Sequence, residues 1–138
     1  MEVLGSRILL HPTDPVASRA FYRDLLGLAV HREFGPAEAP GTVFFLGGGY
    51  LEVSGSADAG QGDAGPPHRA RLELWLQVRD VDAEIAALSG RGVEVLRPPR
   101  TEPWGLREAW IADPDGTRIV LVQVPADHPL RRDRREPA

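Results

Sequence analysis

The chain has 138 residues, 42% of them hydrophobic and 26% charged, with a net charge of −4. This is the make-up of one globular domain long enough to bury a core, and its mildly acidic balance gives no electrostatic support to a nucleic-acid-binding or membrane-surface role. There is no cysteine and no lysine, which excludes disulfides, thiolate metal sites, a cysteine nucleophile and lysine Schiff-base chemistry, and suits a cytoplasmic location.

The N-terminus, "MEVLGSRILLHPTD", lacks the basic start and long apolar stretch of a signal peptide, and no run approaches membrane-spanning length. "SRILLH" (6–11) reads as a strand ended by Pro12. "DPVASRAFYRDLLGL" (14–28) reads as a helix capped by Asp14, with Pro15 in its first turn and Gly27 as its stop. Val16, Ala20, Phe21, Leu25 and Leu28 fall near helical spacing. "LAVHREF" (28–34), "GTVFFLGGG" (41–49) and "YLEVSG" (50–55) read as three strands, with a tight turn at Gly47-Gly48-Gly49. "SGSADAGQGDAGPPHR" (54–69) has no periodic apolar face and reads as a linker or loop. A phosphate-cradling reading fails, because no Gly-Lys-Ser/Thr signature and no strand-to-helix context follow.

The pattern then restarts. "ARLELWLQV" (70–78) is a strand and "RDVDAEIAALSGRG" (79–92) a helix capped by Asp80. "VEVLRPP" (93–99), "LREAWIADPDG" (106–116) and "TRIVLVQVP" (117–125) are strands, the middle one ending in a turn. The tail, 126–138, is polar and Arg-rich and reads as frayed and solubilising. Asp14 and Asp80 open the two helices 66 positions apart, and Gly27-Leu-Ala-Val is matched by Gly92-Val-Glu-Val at an offset of 65. The organisation is one domain, 1–138, built of module 1 (6–55), a linker (56–69), module 2 (70–125) and the tail. Each module has a single helix for a sheet with two faces, so the other face must meet the second unit, another chain or a ligand.

"DPVASRAFYRDLLGL" and "PWGLREAWIADPDGTRIVLVQ" (103–123) together resemble the glyoxalase, bleomycin-resistance and extradiol-dioxygenase group, the vicinal oxygen chelate superfamily, over roughly residues 6–125. The resemblance implies an α+β fold. Two βαβββ modules would form a cup-shaped, curled mixed sheet with the helices on the convex side and a ligand on the concave face. Metal-binding members of the group chelate a divalent ion with side chains from the first and last strands of each module. The first-strand ligand stands seven residues before the capping Asp, which places Arg7 and Glu73 at these positions. The last-strand positions fall on Glu52 and, after the DPDG turn, on Val120. One expected ligand is therefore a cation and one is apolar, and Arg does not ligate metals. The implied arrangement puts Arg7 near Glu52 and Glu73, either replacing the metal's charge or binding a polar substrate group.

His11 shares a strand face with Arg7 and Leu9 and is a candidate general base, or simply a strand-end histidine before Pro12. Glu73 is the other candidate catalytic group. Glu73, Trp75 and Gln77 alternate onto one face, so Trp75 is either a stacking platform for a planar ligand or core. Trp104 and Arg107 lie on the segment that borders the mouth in the resembled group, where Arg107 is a candidate for a ligand carboxylate or phosphate. Trp110 reads as core, Phe21 and Tyr22 as helix-face packing, His31 and His128 as exposed, and His68 lies in the linker. No Gly-x-Ser-x-Gly elbow is present, so nucleophilic hydrolysis has no support.

The expected ligand-binding set is thus Arg7, His11, Glu52, Glu73, Trp75, Trp104 and Arg107, with the 54–69 loop as a flap. The expected function is a metal-free, glyoxalase-like small-molecule-binding protein with a degenerate metal site, sequestering a planar or aromatic ligand as a homodimer, with no cofactor, nucleic acid or membrane partner. The rival is a lyase, isomerase or dioxygenase of the same group. It would use one divalent ion held by Glu52 and Glu73, or metal-free acid–base chemistry through His11 or Glu73.

Overall fold

The computed structural model of the chain describes residues 2, 4–56 and 72–128. Its elements run β1 (Arg7–Leu10), α1 (Pro15–Ala20), a π-helical turn (Phe21–Leu25), β2 (Val30–Phe34), β3 (Gly41–Leu46), β4 (Gly49–Val53), β5 (Glu73–Gln77), α2 (Val81–Gly90), β6 (Val95–Thr101), β7 (Arg107–Ala112) and β8 (Arg118–Gln123). The linker beyond residue 56, with His68, and the tail beyond residue 128 lie outside the described residues. Two compact units are formed, Met1–Arg71 with Asp113–Gly116, and Leu72–Ala112 with Thr117–Ala138.

The strands do not make one curled sheet, and this corrects the expectation of a cup. They form two separate, open four-stranded sheets, ordered β1-β4-β3-β2 and β5-β8-β7-β6. In each, the first strand runs parallel to the last and the remaining pairs are antiparallel. The physical reason lies at the sheet edges. β2 is exposed along all five residues, and β6 carries Pro98 and Pro99, which have no N–H to donate. Among the described residues neither ladder continues past these strands.

In the first unit, Asp14 caps α1 by accepting from the Ala17 N–H at 3.0 Å. The helix expected over 14–28 changes character after one and a half turns. The Leu26 N–H reaches the Phe21 carbonyl five residues back at 2.9 Å, which widens the turn. Both Phe21 and Tyr22 are thereby buried, with Phe44, Leu51 and Val53 of the sheet. The DPDG turn belongs to this unit: the Tyr22 hydroxyl donates to Asp113 Oδ2 at 2.8 Å, and the Asp115 carboxylate accepts from the Thr13 N–H at 3.2 Å. The turn closes at Gly116, whose φ of +79° is open to glycine at little steric cost.

In the second unit, Asp80 caps α2 by accepting from the Ala83 N–H at 3.0 Å. Val81, Ile85 and Leu88 fall on one helical face and are buried with Leu74, Ile111, Ile119 and Leu121. The helix packs on β6, β7 and β8. The Gln123 side chain also accepts from the Val81 N–H at 3.0 Å, satisfying a donor of the first turn. Alternation along β5 buries Leu74 and leaves Glu73, Trp75 and Gln77 on the opposite, exposed face.

Candidate functional site

The strand register relates the assigned positions within each unit. Glu52 stands opposite Leu9, two residues after Arg7, and Val120 stands opposite Trp75, two residues after Glu73. In the first unit, Arg7 Nη1 donates to Glu52 Oε2 at 2.7 Å, with the two side chains 37% and 15% exposed. In the second, Glu73 is taken by the Arg118 guanidinium on β8, the pair being 44% and 38% exposed. Each carboxylate at a candidate metal position therefore already holds a guanidinium. Arg7 pairs with Glu52, whereas the partner of Glu73 is Arg118, a residue the sequence reading did not single out.

Around the Arg7–Glu52 pair, the exposed face of the first sheet carries an aromatic group. A bulge between Val30 and Arg32 displaces β2 and turns His31 onto its neighbours. The His31 ring lies 4.8 Å from Tyr50 in a stacked arrangement and 4.8 Å from Phe45 at a steep angle. Phe45 and Leu9 are exposed on the same face as Tyr50 and Glu52. His11 is half-buried, and its Nδ1 is buried without a hydrogen-bond partner among the described residues.

The second sheet builds a more elaborate face. The row Trp75–Val120–Trp110–Arg97 crosses all four strands in register. Trp75 is 51% exposed. Trp110 packs against Leu106, Val120, Val122 and Val124, as a core residue would. It also receives two cations, with the Arg97 guanidinium 4.1 Å and the Arg118 guanidinium 4.4 Å from its ring centroid. Arg97 ion-pairs with Glu102, and Arg100 Nε donates to the same carboxylate at 3.0 Å. Arg100 and Arg97 hold the Glu102 carboxyl below the usual carboxylate range, hydrogen bonding outweighing the opposing effect of burial. The Trp104 indole N–H donates to Glu108 Oε1 at 3.2 Å.

Trp104 is exposed on the short loop between β6 and β7. His128 Nε2 lies 2.9 Å from its carbonyl, and Gly105, at φ +91°, leaves room for that imidazole, which a Cβ would meet at 3.2 Å. Arg107 is placed differently from the sequence expectation. It alternates onto the helix-bearing face, opposite to Glu108 and Trp110, and grips Asp82 of α2 at 2.5 and 2.7 Å. This pairing raises the Arg107 pKa and lowers that of Asp82.

A divalent ion does not fit this donor set. Arg7 offers no lone pair, Val120 offers no heteroatom, and Glu52 and Glu73 are each engaged by arginine. Among the described residues no group of three or more His, Cys, Asp or Glu is placed to hold a metal ion. No described helix is long and apolar enough to cross a membrane.

Residues 6–121 match the family described as Glyoxalase/Bleomycin resistance protein/Dioxygenase superfamily. No curated protein matches the chain. Among solved structures, TnmS3, an antibiotic binding protein from Streptomyces sp. CB03234, is 25% identical with a TM-score of 0.69, covering 90% of this chain and 98% of its own. TioX from Micromonospora sp. ML1 is 20% identical with a TM-score of 0.70, covering 86% and 97%. A superfamily member from Sphaerobacter thermophilus DSM 20745 is 20% identical with a TM-score of 0.66, covering 89% and 98%.

Proposed function

This chain belongs to the glyoxalase/bleomycin resistance protein/dioxygenase superfamily, and from that premise we propose that it binds a planar, aromatic small molecule without a metal and sequesters it. The observation that carries this reading is the double neutralisation of the candidate metal carboxylates, Glu52 by Arg7 and Glu73 by Arg118. A guanidinium supplies the positive charge that a metal would bring, but it offers no open coordination position for substrate. What remains available on the second sheet is aromatic surface. Trp75 is half-exposed on the same strand face as Glu73 and Gln77, and Trp104 is exposed on the loop between β6 and β7. An indole supplies large contact area and stacking to a flat ligand. The likeness to an antibiotic binding protein favours the same reading. A homodimer in the cytoplasm belongs to this proposal, the single helix for each two-faced sheet and the absence of cysteine being its motives.

A second reading, a metal-free acid–base lyase or isomerase, draws on His11, whose Nδ1 has no partner among the described residues, imidazole being the side chain that most often serves in general acid–base catalysis. Titration of flat aromatic probes against intrinsic tryptophan fluorescence tests the first reading. Saturable quenching is expected, and Trp75→Ala should weaken binding by roughly 1–3 kcal/mol, as loss of an aromatic anchor does. Because Trp75 is exposed, the variant should keep its fold. Unchanged affinity in the folded variant would reject Trp75 as the platform.

A further inference from the structure

We infer that the ligand of the Trp75 face carries no net charge and is recognised by stacking together with neutral hydrogen-bonding groups at its edge. This rests on the reading that the face binds a planar molecule, and it adds that molecule's charge class. The guanidiniums that the strand register brings onto this face, Arg118, Arg97 and Arg100, are matched to carboxylates among the described residues: Arg118 to Glu73, Arg97 and Arg100 to Glu102, and Arg97 again to Glu108 at 4.0 Å. An anionic ligand would have to displace one of these carboxylates. Displacement from Arg97 would remove a partner of Glu102, whose side chain is 1% exposed, and weaken the support of a buried charge. Displacement from Arg118 would leave Glu73 beside the incoming anion. A cationic ligand meets the reverse obstacle, because the same carboxylates are held by arginine. The Trp110 ring, which could otherwise attract a cation, is already within 4.1 and 4.4 Å of two guanidiniums. The uncharged hydrogen-bonding group next to Trp75 is Gln77, two residues along the same strand face and exposed. Its amide both donates and accepts, which suits a carboxamide, keto or hydroxyl group on the rim of a flat ring.

A congeneric series separates charge from shape. 2-Naphthamide, 2-naphthoate and 2-naphthylmethylammonium share one ring system and are neutral, anionic and cationic at pH 7. Isothermal titration of the full chain should show 2-naphthamide bound about tenfold or more tightly than either ion, equivalent to about 1.4 kcal/mol. Glu73→Gln, which releases Arg118, should raise affinity for 2-naphthoate relative to 2-naphthamide about tenfold. Arg118→Gln, which releases Glu73, should do the same for 2-naphthylmethylammonium. Both side chains are well exposed, so each variant should fold. Wild-type protein that binds 2-naphthoate or 2-naphthylmethylammonium as tightly as 2-naphthamide overturns the charge class alone. Variants whose ion preference does not move overturn the role of the Glu73–Arg118 pair in setting it. Failure of all three probes to bind overturns the planar-ligand reading itself.

Discussion

Tyr22 carries a phenol into a fully buried position, and Asp113 Oδ2 accepts a hydrogen bond from its hydroxyl at 2.8 Å. Burial, and then the negative charge of Asp113, push the phenol pKa far above its ordinary value. Deprotonation above pH about 10 is therefore favoured only in the unfolded chain, so the stability this group supplies is present below that pH and declines as pH rises past it. Tyr22→Phe should cost roughly 1.5–3 kcal/mol at neutral pH, the range for a hydrogen bond to a charged group, and should flatten part of the alkaline decline. Urea unfolding of both proteins at pH 7 and at higher pH measures each effect, and an unchanged midpoint would reject the bond as a source of stability. At Arg7 the expectation is smaller. The guanidinium is 37% exposed, so solvent screens its pairing with Glu52, and Arg7→Ala should cost about 1 kcal/mol or less. A loss of about 3–5 kcal/mol in the same assay would mean the pair behaves as a buried one.

The loop after β6 concentrates charge against a buried carboxylate. Glu102 is 3% exposed and accepts from both Arg100 and Arg97, which hold its pKa below that of a free glutamate. A depressed carboxylate contributes stability that is present above the unfolded value of about 4.3 and is lost as pH falls through the folded value. Thermal unfolding between pH 6 and pH 3 should therefore show an acid decline that is shallower in Glu102→Gln, whose pH 6 stability is already reduced. Parallel curves would exclude Glu102 as a contributor. Other elements show how far sequence pattern alone reaches. The Asp14 and Asp80 caps were readable because capping is local, depending only on residues three positions apart. The phase of β5 was readable from the alternation of Leu74 and Leu76 with Glu73, Trp75 and Gln77. The π turn at Phe21–Leu25 was not, because it changes one hydrogen-bond step without changing the apolar spacing. The turn of His31 onto Tyr50 and Phe45 depends on a bulge that leaves no compositional mark. The partnership of Glu73 with Arg118, and the two cations on Trp110, depend on cross-strand register, which links residues 45 positions apart in the first case. For the same reason Arg107 looked free for a ligand, although Asp82 on α2 claims it.

Across the whole molecule the repeat is faithful in backbone and divergent in charge. Each unit joins its first strand to its last in parallel and caps its helix with Asp, and each places an ion pair between those two strands. The sign is exchanged: arginine sits on the first strand in one unit and on the last strand in the other. Each unit thus neutralises its own carboxylate with a guanidinium. Residues 6–121 match the superfamily, and within them the carboxylates Glu52 and Glu73 are each paired with arginine. The consequence can be measured on the intact chain. A metal bound to the folded state at about a hundred times its dissociation constant would add about 2.7 kcal/mol, enough to raise the melting temperature by several degrees in a domain of this size. Zinc, nickel, manganese or iron(II) added to chelator-treated protein should instead move the melting temperature by less than about 1 °C, and elemental analysis should find no stoichiometric metal. A shift of several degrees that disappears in Glu52→Ala, with about one metal per chain in the wild type, would show that the carboxylates exchange arginine for an ion and would reject the metal-free reading.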